Sequence, residues 1–150
     1  MIAYIGIDPG KCGAIAVLTE QDVFAYDFKD DCIGLVIKEQ VSQLREEGYS
    51  IQAFIESVHS FPGQGVSSSF AFGCAYGEAR GALDALEVPY RTVTPQSWQK
   101  TIPSLPKKKD GATSHKRALK QEAQRRFPQC KPNLKTCDAL LIADYGRMLK

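Results

Sequence analysis

The 150-residue sequence has no stretch of about 18 consecutive apolar residues, the length that spans a bilayer, and no basic segment leading into an apolar one with a small-residue cleavage site. These absences predict a soluble, unprocessed, cytoplasmic protein with no membrane partner. The five cysteines, Cys12, Cys32, Cys74, Cys130 and Cys137, are odd in number and never form a C-x-x-C pair. That spacing argues against a zinc site and against a secreted disulfide framework. Reduced packing thiols are expected, since no cysteine stands beside a histidine in a basic setting. Internal repeats and long linkers are also missing, which points to a single globular domain over residues 1–150.

Acids are nearly absent from one quarter of the chain. Residues 100 to 135 hold eleven Lys/Arg against Asp110 and Glu122, a balance of +9, so with a net charge of +2 the rest carries −7. A solvated basic helix would account for this, but so one-sided a stretch in an otherwise acidic protein points to a polyanion-binding surface.

The runs "AYIGID", "GAIAVLT" and "VFAYDF" read as three strands joined by short turns, an antiparallel meander. In "DDCIGLVIKEQVSQLREEG" the apolar residues Ile33, Val36, Ile37, Val41 and Leu44 recur at helical spacing, with Gly48 as the stop. "IQAFIE" is a fourth strand, parallel to the first because a helix connects them. The Pro/Gly/Ser loop "SVHSFPGQGVSSS" leads into the helix "FAFGCAYGEARGALDAL", for which a serine can supply the N-cap. A short fifth strand, "PYRTV", precedes a helical turn, "PQSWQKTI", and a polar basic loop. Two more helices, "HKRALKQEAQRRF" and "KTCDALLIADYGRML", end the chain. Gly73, Gly77 and Gly81 form a stripe on one helix face, either for close packing on the sheet or for a helix-helix contact across a dimer.

The first and fourth strands both end in a carboxylate, Asp8 and Glu56. As parallel neighbours these would repel unless a positive charge lay between them, and Mg²⁺, with its preference for hard oxygen ligands, is the simplest such charge. Asp138 in the final helix is a third acid near the strand ends. Asp144, about 240° further around the helix, is expected at the surface.

These segments, with "VHSFPGQGVSSSFAFGCAYGEARGAL", "VTPQSWQK" and "DALLIADYGR", resemble nearly end to end the RuvC-like Holliday junction resolvases, especially the compact ones carried by phages and prophages. The resemblance implies an α/β protein with an RNase H-like fold, a five-stranded mixed sheet flanked by helices. It further implies a homodimer that nicks four-way and other branched DNA in recombination and repair. Asp8, Glu56 and Asp138 would hold two Mg²⁺ or Mn²⁺ ions, with 5′-phosphate and 3′-hydroxyl products. Lys116 and Lys100 match lysines placed near the scissile phosphate. Lys107, Lys108, Lys109, Arg117 and Lys120 would track DNA phosphates, giving affinity without sequence reading. His59 and Phe61 lie where an aromatic could enter the junction crossover, unless Phe61 is instead a core anchor of its loop.

One position departs from the family pattern. Where a second acid or a histidine is usual, three residues before Asp138, this chain has Lys135, which cannot bind a metal while protonated. Altered metal occupancy, weakened catalysis or a junction-binding protein without catalysis would each follow. Two other readings fit the opening "IGIDPG". An actin- or hexokinase-type ATPase would need two such domains, which this length does not provide, so no nucleotide cofactor is expected. An RNase H-like nuclease of ribosomal RNA maturation is closer in size, but "PGQGV" and the glycine-rich helix favour the resolvase.

Overall fold

The computed structural model describes residues 1–10, 12–29, 31–57, 59, 63–107 and 111–149. Strands β1 (Ile2–Asp8), β2 (Ala14–Leu18) and β3 (Val23–Asp27) form the antiparallel meander, and β4 (Ser50–Glu56) and β5 (Tyr90–Val93) extend it in parallel, in the order β3-β2-β1-β4-β5. Helix α1 (Ile33–Glu46) is the crossover that a parallel β1–β4 pair requires. It buries Ile33, Ile37, Val41 and Leu44, and stops where Gly48 takes a φ of +81°.

Alternation along the strands divides the apolar residues between two cores. Ile5, Ile7, Ile15, Val17, Ile51, Ala53 and Ile55 pack under α1 and α2 (Val66–Ala85). Tyr4, Ala14, Ala16, Leu18, Phe54 and Val93 face Trp98 on α3 (Pro95–Gln99), α4 (Ala112–Arg126) and α5 (Cys137–Met148). The closest helix-to-sheet approach is made by α5. A methyl group on Gly6 would strike the carbonyl oxygen of Ala139 and the amide of Ala143, and one on Gly146 would enter the Phe54 ring. This contact fixes where the N-terminus of α5 sits relative to the end of β1.

Several expectations change. Gly73, Gly77 and Gly81 are exposed, with nothing within 4 Å of a Cβ built on any of them, so the stripe does not face the sheet. The buried face of α2 is Ala75, Ala79 and Leu83. No serine caps α2: Gly65 is the N-cap residue and makes no side-chain cap bond. Asp144 is only 2% exposed because α4 covers that side of α5, where Arg126 Nη1 reaches Asp144 Oδ2 at 2.9 Å and Arg147 binds the other oxygen. Cys12, Cys32 and Cys74 are exposed, and of the five thiols only Cys137 is fully buried. Among the described residues no helix is long and apolar enough to cross a membrane.

Candidate active site

Strand register places a row of residues at one end of the sheet. Asp8 pairs with Ala14 and Ala14 with Asp27, while Ile7 pairs with Ile55 and Glu56 with Val93. Asp8 and Glu56 are therefore neighbours on adjacent strands. By the alternation that sends Tyr4 and Phe54 toward α5, both acids belong to the α5 face.

Each acid is held by a different device. Asp8 Oδ1 accepts the amide of Gly10 at 3.2 Å, a bond made possible by the turn after β1. Burial, then the negative charge of Asp138, push its pKa up to about 6, against the opposing pull of the Gly10 amide and the Lys116 ammonium. Glu56 Oε1 accepts the indole N–H of Trp98 at 3.0 Å, and Trp98 is 1% exposed. Helix α3 is positioned for this by its own cap: Thr94 Oγ1 accepts the Ser97 amide at 3.2 Å, and Pro95 opens the helix.

Asp138 lies in the first turn of α5, where the helix N-terminus favours an anion. The start of this helix is ordered by Asn133, whose Oδ1 accepts the amides of Lys135 and Thr136, while Thr136 Oγ1 accepts the Asn133 amide. Asp138 Oδ2 lies 2.5 Å from Lys116 Nζ, and Oδ1 accepts the Cys137 thiol at 3.3 Å. Burial and the adjacent carboxylate push that thiol up to about 12. For Lys116, burial works against the charged form, but the attraction and hydrogen bond of Asp138, with Asp8 adding to them, prevail and its pKa is raised.

Lys135 stands in the turn before α5, and its Nζ is 3.5 Å from Asp27 Oδ2 at the end of β3. Its charge is thus taken up at the edge of the row and not by Asp138. Sequence reasoning missed both Asp27 and Trp98. The signal for Trp98 was its being the sole tryptophan, directly before Gln99 and Lys100, with an N–H that needs a partner when buried.

The basic stretch does not act as one surface. Arg126 is turned inward onto Glu122, Asp144 and the Thr101 carbonyl, and Arg125 pairs with Glu122. Lys100, Lys107 and Arg117 are exposed, and Lys120 is half-buried. Lys100 and Lys107 border a cavity of about 680 Å³ between α3 and the start of α4, with buried His115 in its wall. His59 is exposed, and its Nε2 is 3.2 Å from Ser57 Oγ. Phe61, Lys108 and Lys109 lie outside the described residues.

Among the described residues no three His, Cys, Asp or Glu side chains are gathered closely enough to hold a metal ion. The chemistry of the donors nevertheless fits a divalent cation. Asp8 and Asp138 are hard oxygen donors whose mutual repulsion already shows in the raised pKa of Asp8, and Glu56 is adjacent.

No family model and no curated protein sequence matches the chain. It is similar in structure to Thermus thermophilus RuvC in complex with a Holliday junction substrate, with a TM-score of 0.67 and 16% identity over 99% of this chain and 97% of that one. A second Thermus thermophilus RuvC structure aligns at a TM-score of 0.59 and 16% identity, covering 98% and 96% of the two chains. The chain therefore has a RuvC-like, RNase H-like fold: a five-stranded mixed sheet flanked by helices.

Proposed function

We propose that this chain is a structure-selective DNA endonuclease that resolves Holliday junctions and other branched DNA, of the compact kind carried by phages and prophages. The observation that carries the reading is that Asp8 and Glu56 end neighbouring strands on the α5 face, with Asp138 of α5 acting on Asp8 and the Lys116 ammonium paired to Asp138. A structural neighbour with this fold was solved bound to a Holliday junction substrate.

Asp8, Glu56 and Asp138 would hold two Mg²⁺ or Mn²⁺ ions, which when bound polarise an attacking water and stabilise the departing 3′ oxygen. The chain's own residues orient this chemistry. The Gly10 amide fixes Asp8, the Trp98 indole fixes Glu56, and the turn at Asn133 and Thr136 fixes the helix end that carries Asp138. Lys116 adds positive charge where the phosphate gains negative charge, and Lys100 serves nearby. Water attack at phosphorus with loss of the 3′ oxygen leaves 5′-phosphate and 3′-hydroxyl ends.

Lys107, Lys108, Lys109, Arg117 and Lys120 would bind backbone phosphates, with His59 and Phe61 at the crossover. A two-fold junction suits a homodimer. Its surface would be the outer face of α2, where Val66 is 86% and Phe70 74% exposed beside the glycine stripe. A second reading, binding without cutting, draws on the Lys116–Asp138 pair and on the absence of a gathered three-ligand group among the described residues.

Incubation of a labelled four-way junction with Mg²⁺ or Mn²⁺ tests the proposal, and paired symmetric nicks are expected. Tight binding with no nicks selects the second reading. Preferential cutting of a ribosomal RNA precursor refutes both.

A further inference from the structure

A lysine ammonium that is drawn partly out of water needs an anion beside it, and a carboxylate at a crowded acidic corner needs a cation. Lys116 and Asp138 meet both needs at 2.5 Å, with side chains 35% and 14% exposed. The two residues come from different helices, α4 and α5, so the contact is a tertiary one. The same ammonium also acts favourably on Asp8. One positive charge therefore already serves the two acids, Asp138 and Asp8, whose repulsion a divalent cation would relieve.

A metal ion and an ammonium held on the same Asp138 oxygen repel each other strongly at that range. Asp138 Oδ1 is already engaged by the Cys137 thiol. The lysine stem has four rotatable carbons on a helix that is itself tied to α5 through Arg126 and Asp144, so the ammonium can swing while its backbone stays in place.

We propose that Lys116 is the resident counter-ion of Asp138 before metal binds, that a divalent cation enters by displacing its ammonium, and that the released ammonium turns to a phosphate of the DNA backbone. This rests on the nuclease reading above and adds to it an order of events. Because the freed ammonium is then available to phosphate, metal and DNA each strengthen the binding of the other, as linkage requires.

Two measurements on the full chain without DNA test the exchange. The first is Mn²⁺ affinity, read by electron paramagnetic resonance, for the unaltered protein, Lys116→Met and Asp8→Asn. Lys116→Met is expected to bind Mn²⁺ about tenfold or more tightly than the unaltered protein, within the usual range of coupling between sites. The second follows the Lys116 side-chain ¹³Cε and ¹⁵Nζ resonances during Mg²⁺ titration. These are expected to shift from ion-paired to solvated values in step with metal binding. Thermal melting with EDTA verifies that each variant is folded.

If Lys116→Met binds Mn²⁺ no better while Asp8→Asn loses it, the exchange is refuted and the metal reading stands. If affinity rises but the Lys116 resonances do not move, simple repulsion is at work and the exchange is again refuted. If no variant binds Mn²⁺, the metal reading falls and the exchange with it.

Discussion

Trp98 and Glu56 are joined across 3.0 Å by an indole N–H that donates to a carboxylate at the end of β4. The ring is buried in the core on the α5 side, the one that also holds Phe54, Val93 and Leu140, so the donor has a fixed position. A carboxylate at a strand end has rotamer freedom of its own, and the indole removes it. Trp98→Phe keeps most of the apolar volume and deletes the donor. It should cost about 1.5–3 kcal/mol, the usual contribution of a hydrogen bond to a charged group, and should lower junction cleavage with little change in junction affinity. Denaturant unfolding, cleavage rates and gel-shift affinity together check this.

The raised pKa of Asp8 makes a signed prediction for the metal-free protein. Its folded value is about 6 against 3.8 unfolded, so between those values the native state binds more protons than the unfolded chain. Stability must then fall as pH rises from about 4 to about 6 and level off above, by on the order of 3 kcal/mol from this group. Asp8→Asn still accepts the Gly10 amide, should flatten that fall, and should be more stable than the unaltered protein at pH 7 but not at pH 3.5. Urea unfolding in EDTA across this range reads it. The same variant should bind a junction and not cut it.

For Lys135, the pair with Asp27 predicts a small effect. The lysine side chain is 47% exposed, and such ion pairs contribute about 0–1 kcal/mol. Lys135→Ala should therefore leave the melting temperature nearly unchanged and cleavage within about threefold, as for a residue that makes no contact in the transition state. Lys135→Asp should not raise activity, because residue 135 faces Asp27 and the new acid would meet a like charge. Parallel cleavage assays of both variants decide the matter.

Gly77 separates fold from assembly. Among the described residues nothing lies within 4 Å of a Cβ added there, and glycine in a helix interior costs roughly 1 kcal/mol against better helix formers. Gly77→Lys should thus hold or raise the stability of the folded chain while abolishing the proposed dimer. Sedimentation velocity beside thermal melting distinguishes this from a dimer that uses another face.

The strand-end acids of the candidate site were legible because they depend on short-range rules. An acid at the end of an apolar strand shows in the sequence, since strand residues alternate and the run simply stops at Asp8 and at Glu56. The parallel β1–β4 pairing followed from the helix between them, and α1 followed from its spacing. Helical spacing also grouped Gly73, Gly77 and Gly81, but periodicity says only which residues share a face and not what covers it. That is why the stripe could be read as sheet-facing, and why Asp144 was expected in solvent although Arg126 and α4 lie over it.

By itself, the sequence determined the order of the strands and helices, the acids that close two of the strands, and the concentration of positive charge between residues 100 and 135. These are local patterns of polarity, and every compact arrangement of the chain must respect them. Tertiary structure alone decided which charges meet. Lys116 reaches Asp138, Lys135 reaches Asp27, and Arg126 reaches Asp144 because α5 lies against β1 at Gly6 and α4 lies across α5. Attraction between two charges depends on their distance in space and on the water removed around them, and neither quantity is written in their separation along the chain.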